Sequence, residues 1–266
     1  MSTIQAIILG IVQGITEFLP VSSSGHLQIV KELMGVELES NLTFDVALHA
    51  GTVLSTIVVL WSRVRKLFVG VFSSSFNQEQ RYVLKIILSM IPVAIVGFTL
   101  KDQLELMLAS QYIMIIVGVM LLITAALLAF ASMAKPRERD NISYRDSIVI
   151  GLAQAVAVMP GISRSGATIA TGILLGNKKQ NVAEFSFLMV LVPILGNTLL
   201  DILDGEASAA ISDIGLVPLL AGFLASFIVG ALACKFMIEI VKRGKLIYFA
   251  AYCLAVGLIS IISYFF

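Results

Sequence analysis

The chain has 266 residues, of which 58% are hydrophobic and only 13% are charged, and its formal net charge is +1. A soluble domain carries about 25% charged residues, so this chain has too little polar surface to cover a globule in water. A net charge so close to zero gives no bulk field that would attract nucleic acid. Long continuous apolar runs predict an all-α protein that crosses the membrane several times.

The first apolar run, residues 4–19, is short and ends at a polar turn that contains Pro20 and Gly25. A helix of that length reaches roughly 24 Å, whereas the hydrocarbon core of a bilayer is roughly 30 Å thick. A second short run follows from His26 to Met34. Two half-length helices around a polar turn predict a re-entrant hairpin, whose turn must be surrounded by protein or by a wet cavity.

Further along, the chain alternates longer apolar runs with polar loops and then repeats the interrupted pattern. A second broken pair, Ser147–Met159 and Ala167–Leu175, flanks the sequence P-G-I-S-R-S-G. The six expected spanning helices are approximately Phe44–Trp61, Val83–Leu100, Tyr112–Met133, Glu184–Leu203, Leu216–Ile238 and Ile247–Phe266. Residues 1–266 are therefore expected to form one membrane domain.

The two halves of the chain align when each position is paired with the one 141 residues later. The matching pairs are Gly10 with Gly151, Gln13 with Gln154, Ser22 with Ser163, Ser24 with Ser165, and Gly25 with Gly166, and Ser23 falls opposite Arg164. An ordered set that includes both interrupted segments predicts an internal repeat, residues 1–133 and 147–266.

Loop charge predicts the orientation of this repeat. Each half would contain one hairpin and three spans, and three is odd, so the second half should be inserted upside down. The basic loops, near residues 63–66, 135–145, 178–179 and 242–245, all fall on one side under this count, whereas residues 201–213 are acidic. Because basic loops stay in the cytoplasm, both termini are expected outside. The turns of the two hairpins can then meet near the middle of the membrane.

Both turns carry polar groups, which are expensive at membrane depth and usually mark function. The candidate site residues are Gln13, Glu17, Ser22, Ser23, Ser24, Gly25 and His26 at the first turn, and Gly161, Ser163, Arg164, Ser165 and Thr168 at the second. The unpaired N–H groups where the return helix starts favour an anion, and the planar fork of Arg164 suits phosphate oxygens. Together these groups predict a phosphate-binding site, in which Glu17 can hold a divalent metal or act as a base and His26 can act as acid, base or nucleophile.

Simpler interpretations exist for single residues. The S-S-S-G segment taken alone is typical of an ordinary capped turn, and Arg164 alone could be a surface side chain that reaches toward water. His49 lies inside an apolar span and is expected to be a helix-packing histidine. The pairing of two polar hairpins is what favours a functional site.

The segment E-F-L-P-V-S-S-S-G-H, with Gln13 four residues before Glu17, resembles the acidic motif of the undecaprenyl-pyrophosphate phosphatase family of the bacitracin-resistance type. P-G-I-S-R-S-G-A-T is similar to that family's second motif, and the resemblance covers the whole chain. It implies an integral membrane hydrolase of the bacterial plasma membrane with a site that faces outside. The enzyme would convert undecaprenyl pyrophosphate to undecaprenyl phosphate and phosphate, recycling the lipid carrier for peptidoglycan synthesis, with a divalent cation (Mg²⁺ or Ca²⁺).

Residue roles follow from the same resemblance. It implies that Glu17 and His26 are the essential acid and imidazole and that Arg164 binds pyrophosphate. The hydroxyls that would support or perform catalysis belong to Ser22, Ser23, Ser163, Ser165 and Thr168. Gln13 stands where many relatives have Glu, so metal binding would rest mainly on Glu17. Ser23 is the preferred nucleophile, with His26 or Glu17 as its base, and His26 is the second choice.

A second class of function fits the same layout. Inverted repeats with broken helices are also the architecture of secondary transporters, so a flippase or carrier for a lipid phosphate or another anion is the alternative. The expected partners are the lipid substrate and membrane lipid, with a homodimer left open. Phosphate release from a pure substrate would separate the two classes of function.

Overall fold

The computed structural model of the chain describes residues 1–36, 42–134, 139–196 and 214–265. Their secondary structure is helical, as the sequence predicted. The helices of the first half are α1 Thr3–Phe18, α2 Ser23–Leu33, α3 Leu42–Val59, α4 Trp61–Val71, α5 Gln78–Thr99, α6 Lys101–Leu108 and α7 Ile113–Met133. Those of the second half are α8 Tyr144–Val156, α9 Arg164–Leu174, α10 Lys179–Met189, α11 Leu216–Lys242 and α12 Ile247–Ser263.

The two predicted helix breaks are confirmed. α1 ends at Phe18 because Leu19, the residue before Pro20, adopts an extended backbone that a helix cannot continue. α2 then begins at Ser23. The second break lies between the end of α8 at Val156 and the start of α9 at Arg164. In each pair the two short helices contact one another across the turn.

The long apolar helices match three of the six predicted spans. By length and composition α5, α7 and α11 can each cross a membrane, and the bent pair α3 and α4 could supply a fourth crossing. α12 is apolar but shorter, with 17 residues. The predicted span Glu184–Leu203 is wrong at its start and in its continuity. α10 begins at Lys179 and ends at Met189, and Val190 separates it from the next helical residues, 191–196. The last residues of the predicted span, 197–203, lie outside the described part of the chain.

Two segments predicted as loops are helical. The chain bends by 83° after α3, and α4 continues as a separate helix. Exposed aromatic side chains, Trp61, Phe68 and Phe72, alternate there with Arg65 and Lys66. A helix with this mixture is typical of the membrane–water interface, where aromatic and basic groups are both favoured. The basic residues of α4 led to the prediction of a loop. The loop predicted after α5 likewise contains α6.

The halves of the chain pack against one another in a crossed arrangement. α1 runs along α11, α8 runs along α5, and α7 runs along α12. A Cβ atom at Gly10 of α1 would lie 2.4 Å from the carbonyl oxygen of Gly222, and one at Gly151 of α8 would lie 2.4 Å from that of Ser89. Both short helices therefore approach the backbone of a long helix at a glycine, which holds the two breaks deep in the bundle.

Candidate active site

The two helix breaks meet, as the sequence predicted. A Cβ atom on Gly25 would lie 3.2 Å from the Cα atom of Gly161, and one on Gly166 would lie 3.2 Å from the Cβ atom of Pro20. The Ser165 hydroxyl donates a hydrogen bond to the Leu19 carbonyl at 3.1 Å, which ties the second break to the first. Residues far apart in sequence thus form one polar junction inside an apolar bundle.

The two breaks share one local construction. Ser22 caps α2 by accepting from the Gly25 N–H at 3.3 Å, and Ser163 caps α9 by accepting from the Gly166 N–H at 3.0 Å. The serine two positions after each cap contacts the cap hydroxyl at 3.4 Å in the first break and 3.3 Å in the second. Capping satisfies helix N–H groups that would otherwise be unpaired at membrane depth. Equivalent positions of the predicted repeat therefore have equivalent hydrogen bonds.

Glu17 is the centre of the junction. Its side chain is 4% exposed, and it receives polar contacts from both halves of the chain. Oε1 pairs with the guanidinium of Arg164, while Oε2 accepts from the Ser23 hydroxyl at 2.8 Å and from the Gln13 amide at 2.9 Å. A buried carboxylate is costly unless it is paired and hydrogen-bonded, and these contacts supply both. The structure therefore brings three other predicted site residues, Gln13, Ser23 and Arg164, to the carboxylate of Glu17.

His49 contacts this cluster from α3, and its hydrogen-bond contact with α1 lies between two helices, which agrees with the expected helix-packing histidine. Its Nδ1 atom lies 2.8 Å from Nε2 of Gln13 and 3.4 Å from Oε2 of Glu17. Because the Gln13 amide nitrogen is a donor, the Nδ1 atom accepts from it in this arrangement. The signal that could have found His49 was its ionisable side chain inside an apolar run, which favours function at membrane depth.

The polar contacts of the His26 imidazole are with other residues. Its Nδ1 lies 2.8 Å from the carbonyl oxygen of Ser22, and its Nε2 lies 2.8 Å from the hydroxyl of Tyr252 on α12. The hydroxyl of Ser23 thus has Glu17 as its hydrogen-bond partner, and the imidazole is directed to Ser22 and Tyr252. Tyr252 carried no sequence signal of its own, because a tyrosine in an apolar helix is common.

The remaining hydroxyls of the second motif hold the break together. Thr168 donates to the Arg164 carbonyl at 2.9 Å and contacts the Ser186 hydroxyl at 2.6 Å. Thr124 of α7 accepts from the Ser163 N–H at 3.1 Å. Gly161 has φ 97°, and a Cβ atom there would lie 2.6 Å from the Val117 carbonyl oxygen, so only glycine fits. Direct contact of these groups with a substrate stays a prediction.

A narrow recess lies beside the Glu17–Arg164 pair. Hydroxyl groups and apolar side chains share its lining. The lining residues are Glu17, Phe18, Thr52, Val53, Thr56, Arg164, Ser165, Ser186, Phe187, Val190 and Ile194. Polar groups and an apolar wall thus lie together beside the carboxylate–guanidinium pair, the combination that ligand sites share.

The oxygen atoms at the junction suit a hard divalent cation. The Oε1 atom of Gln13 is buried, and no described residue gives it a hydrogen bond. Together with the Glu17 carboxylate it offers the oxygen donors that Mg²⁺ and Ca²⁺ prefer. Within the described ranges no cluster of three His, Cys, Asp or Glu side chains could hold a metal. Most ligands of a cation here would have to be water or substrate oxygens, which is usual for Mg²⁺.

Comparison with known proteins identifies the family of the chain. The family model described as "Bacitracin resistance protein BacA" matches residues 6–259. The chain is 54% identical over 265 residues to a protein of Bacteroides fragilis named undecaprenyl-diphosphatase, covering 98% of each. Proteins of the same name from Parabacteroides distasonis (55% over 264 residues, 98% of each) and Korarchaeum cryptofilum (39% over 272 residues, 99% of each) are also similar. The chain therefore belongs to the BacA family of bacitracin resistance proteins.

Proposed function

We propose that this chain is an undecaprenyl-diphosphatase: it hydrolyses undecaprenyl pyrophosphate to undecaprenyl phosphate and phosphate, and so recycles the lipid carrier of peptidoglycan synthesis. The relatives of that name match it over nearly its whole length. The observation that carries the chemistry is Glu17, which touches a candidate nucleophile, Ser23, and a candidate phosphate ligand, Arg164. Hydrolysis of a phosphoric anhydride needs these parts in one place.

The contacts around Glu17 support a two-step reaction. The Ser23 oxygen attacks the terminal phosphorus, its proton passes to Oε2 of Glu17, and the bond from that phosphorus to the bridging oxygen breaks, which releases undecaprenyl phosphate. Arg164 lies where it can bind the equatorial oxygens as their charge grows. A water then attacks the phosphoserine, loses a proton to a base, and the Ser23 oxygen leaves with a proton as free hydroxyl. Two easier steps replace one difficult step.

Glu17 and Gln13 are the residues that would hold the expected divalent cation. When bound, such an ion neutralises charge on the pyrophosphate oxygens. We expect that chelation with EDTA abolishes phosphate release by the purified chain and that added Mg²⁺ or Ca²⁺ restores it. Full activity after exhaustive chelation would contradict the cation requirement, and a chelated sample that never recovers would point to damage rather than metal loss.

For the architecture we propose six spans and two re-entrant hairpins arranged as an inverted repeat in the plasma membrane, with the site facing outside. The crossed packing of α1 on α11 and of α8 on α5 supports the repeat, since these are equivalent pairs from opposite halves. The aromatic and basic side chains of α4 support a cytoplasmic interface there.

Cysteine labelling tests this topology. A cysteine at Gln111, after α6, should react with a membrane-impermeant maleimide added to intact cells, because that loop is expected outside. A cysteine at Ser74, after α4, should react only once the membrane is permeabilised. Both positions are exposed, whereas the native Cys234 and Cys253 are buried and should give little background. The opposite pattern would overturn the orientation.

Phosphate release separates the enzyme from the transporter alternative. We expect the purified chain in detergent to release inorganic phosphate from pure undecaprenyl pyrophosphate at many turnovers per molecule. A carrier binds and moves its substrate without cleaving it, so it would release none. Absence of release with correctly folded protein and added divalent cation would therefore reject the proposed hydrolysis.

A further inference from the structure

The imidazole of His26 is held at both of its nitrogen atoms. On one side Nδ1 lies 2.8 Å from the Ser22 carbonyl oxygen, and on the other Nε2 lies 2.8 Å from the Tyr252 hydroxyl. The His26 and Tyr252 rings are nearly parallel, with an interplanar angle of 12° and centroids 5.6 Å apart. The two partners come from opposite ends of the chain, so the contact depends on the packed fold.

The Ser22 carbonyl decides which nitrogen of the neutral ring carries the proton. A carbonyl oxygen only accepts, so Nδ1 must be the N–H donor to it. Nε2 of a neutral His26 then has a lone pair and needs a donor, and the Tyr252 O–H is that donor. Ser22 has φ 71°, a backbone conformation that a residue other than glycine rarely adopts. A conformation that costs energy persists where the surroundings hold it, and such positions cluster at functional sites.

The exposure of Tyr252 does not free its hydroxyl from the need for a partner. Tyr252 is 45% exposed, but α12 is one of the expected membrane spans, where a hydroxyl that faces lipid without a partner is costly. Its hydroxyl lies at hydrogen-bond distance from Nε2, and the two rings are nearly parallel. The contact therefore satisfies the Tyr252 hydroxyl and at the same time supplies the donor that Nε2 of His26 needs.

We propose that Tyr252 is a positioning residue for His26: its hydroxyl fixes the rotation and the tautomer of the imidazole and extends the polar chain from Ser22 through His26 to the partly exposed edge of α12. The proposal deepens the proposed hydrolysis, on which its kinetic part rests. A second hydrogen bond that sets ring orientation and tautomer is how histidines are usually prepared for proton transfer or ligand binding. α12 then contributes a residue to the site in addition to packing against α7.

A double-mutant cycle tests the kinetic part. Tyr252→Phe keeps the ring and removes one hydroxyl, and loss of one hydrogen bond should lower kcat about three- to tenfold with KM nearly unchanged. In a His26→Ala background the same change should cost nothing further, because a positioning residue acts only through its partner. Tyr248→Phe, an exposed tyrosine one turn earlier on α12, is the matched control and should retain wild-type rates. Equal losses from Tyr252→Phe with and without His26 would overturn the proposal.

Chemical modification tests the contact without relying on activity. Diethyl pyrocarbonate acylates unprotonated imidazole nitrogen, and the chain has only two histidines, His26 and His49. Removing the Tyr252 hydroxyl frees Nε2, so peptide mass spectrometry of the full-length chain in detergent should show His26 modified severalfold faster in Tyr252→Phe. His49 serves as the internal reference and should react at the same rate in both proteins, which also reports an intact fold.

The outcomes separate this inference from the proposed hydrolysis. If wild-type protein releases no phosphate but His26 is unmasked in Tyr252→Phe, the hydrolysis is rejected and the positioning contact stands. If wild-type protein is active and His26 reacts equally in both proteins, the contact is rejected and the hydrolysis stands. Faster reaction at both histidines would mean general loosening of the fold and would also count against the proposal.

Discussion

Replacing Ser23 with alanine should abolish turnover while substrate binding survives. The Ser23 hydroxyl lies 2.8 Å from Oε2 of Glu17, which is placed to accept its proton. If this oxygen attacks phosphorus, its removal should lower kcat by at least about a thousandfold, as loss of a nucleophile does in other enzymes. Binding should persist because it depends on Arg164 and on any bound cation. Phosphate release and equilibrium binding of a non-hydrolysable pyrophosphate analogue, measured on the same preparation, check the two halves of the expectation.

A trapped intermediate would identify the nucleophile directly. Rapid quenching with labelled substrate should place phosphate on Ser23. Ser24→Ala removes a neighbouring hydroxyl whose described contact is with Ser22 at 3.4 Å, so it should cost far less than Ser23→Ala. Phosphate on His26 would move the nucleophile there. Normal turnover by Ser23→Ala would reject the serine ester and leave His26 or a water as the attacking group.

Local signals explain why the two breaks could be predicted from sequence. Pro20 restricts Leu19 and ends α1. In both breaks a serine three residues before a glycine caps the helix that follows. Ionisable groups in such turns are too costly to leave facing lipid, which is why the sequence also predicts that the turns meet. Proline restriction and capping act within a few residues, and sequence patterns report such effects well.

Contacts between residues that are far apart in the chain could not be predicted from the sequence. His49 joins Gln13 and Glu17 through the packing of α3 against α1, and Tyr252 reaches His26 from 226 positions away. Neither contact leaves a sequence pattern that identifies the partner residue. The bend into α4 was missed for a different reason: its basic residues mark a loop in a hydropathy profile and equally mark an interfacial helix. Only the three-dimensional arrangement separates these cases.

Replacing Arg164 with lysine should lower the rate of phosphate release about ten- to a hundredfold although the charge is kept. Arg164 pairs with Glu17 from the opposite half of the chain, and its planar fork can bind that carboxylate and a phosphate oxygen together. A lysine ammonium is a compact point charge without this geometry. Loss of one charge-assisted hydrogen bond is worth about 1.5–3 kcal/mol, and about 1.4 kcal/mol is tenfold in rate. Steady-state kinetics with saturating divalent cation measure the change.

Arg145→Lys is the matched control, since Arg145 is an exposed arginine on α8 outside the site, and it should keep wild-type kinetics. Wild-type rates in Arg164→Lys would mean that Arg164 serves only to neutralise Glu17.

The internal repeat adds a reason to expect a loss of activity in Arg164→Lys. Ser23 and Arg164 occupy equivalent positions of two similar helix breaks, and both contact the same carboxylate, one at each oxygen. This difference between the halves thus places the proposed nucleophile on one side of Glu17 and the proposed phosphate ligand on the other, and a shorter cation cannot fill the second position.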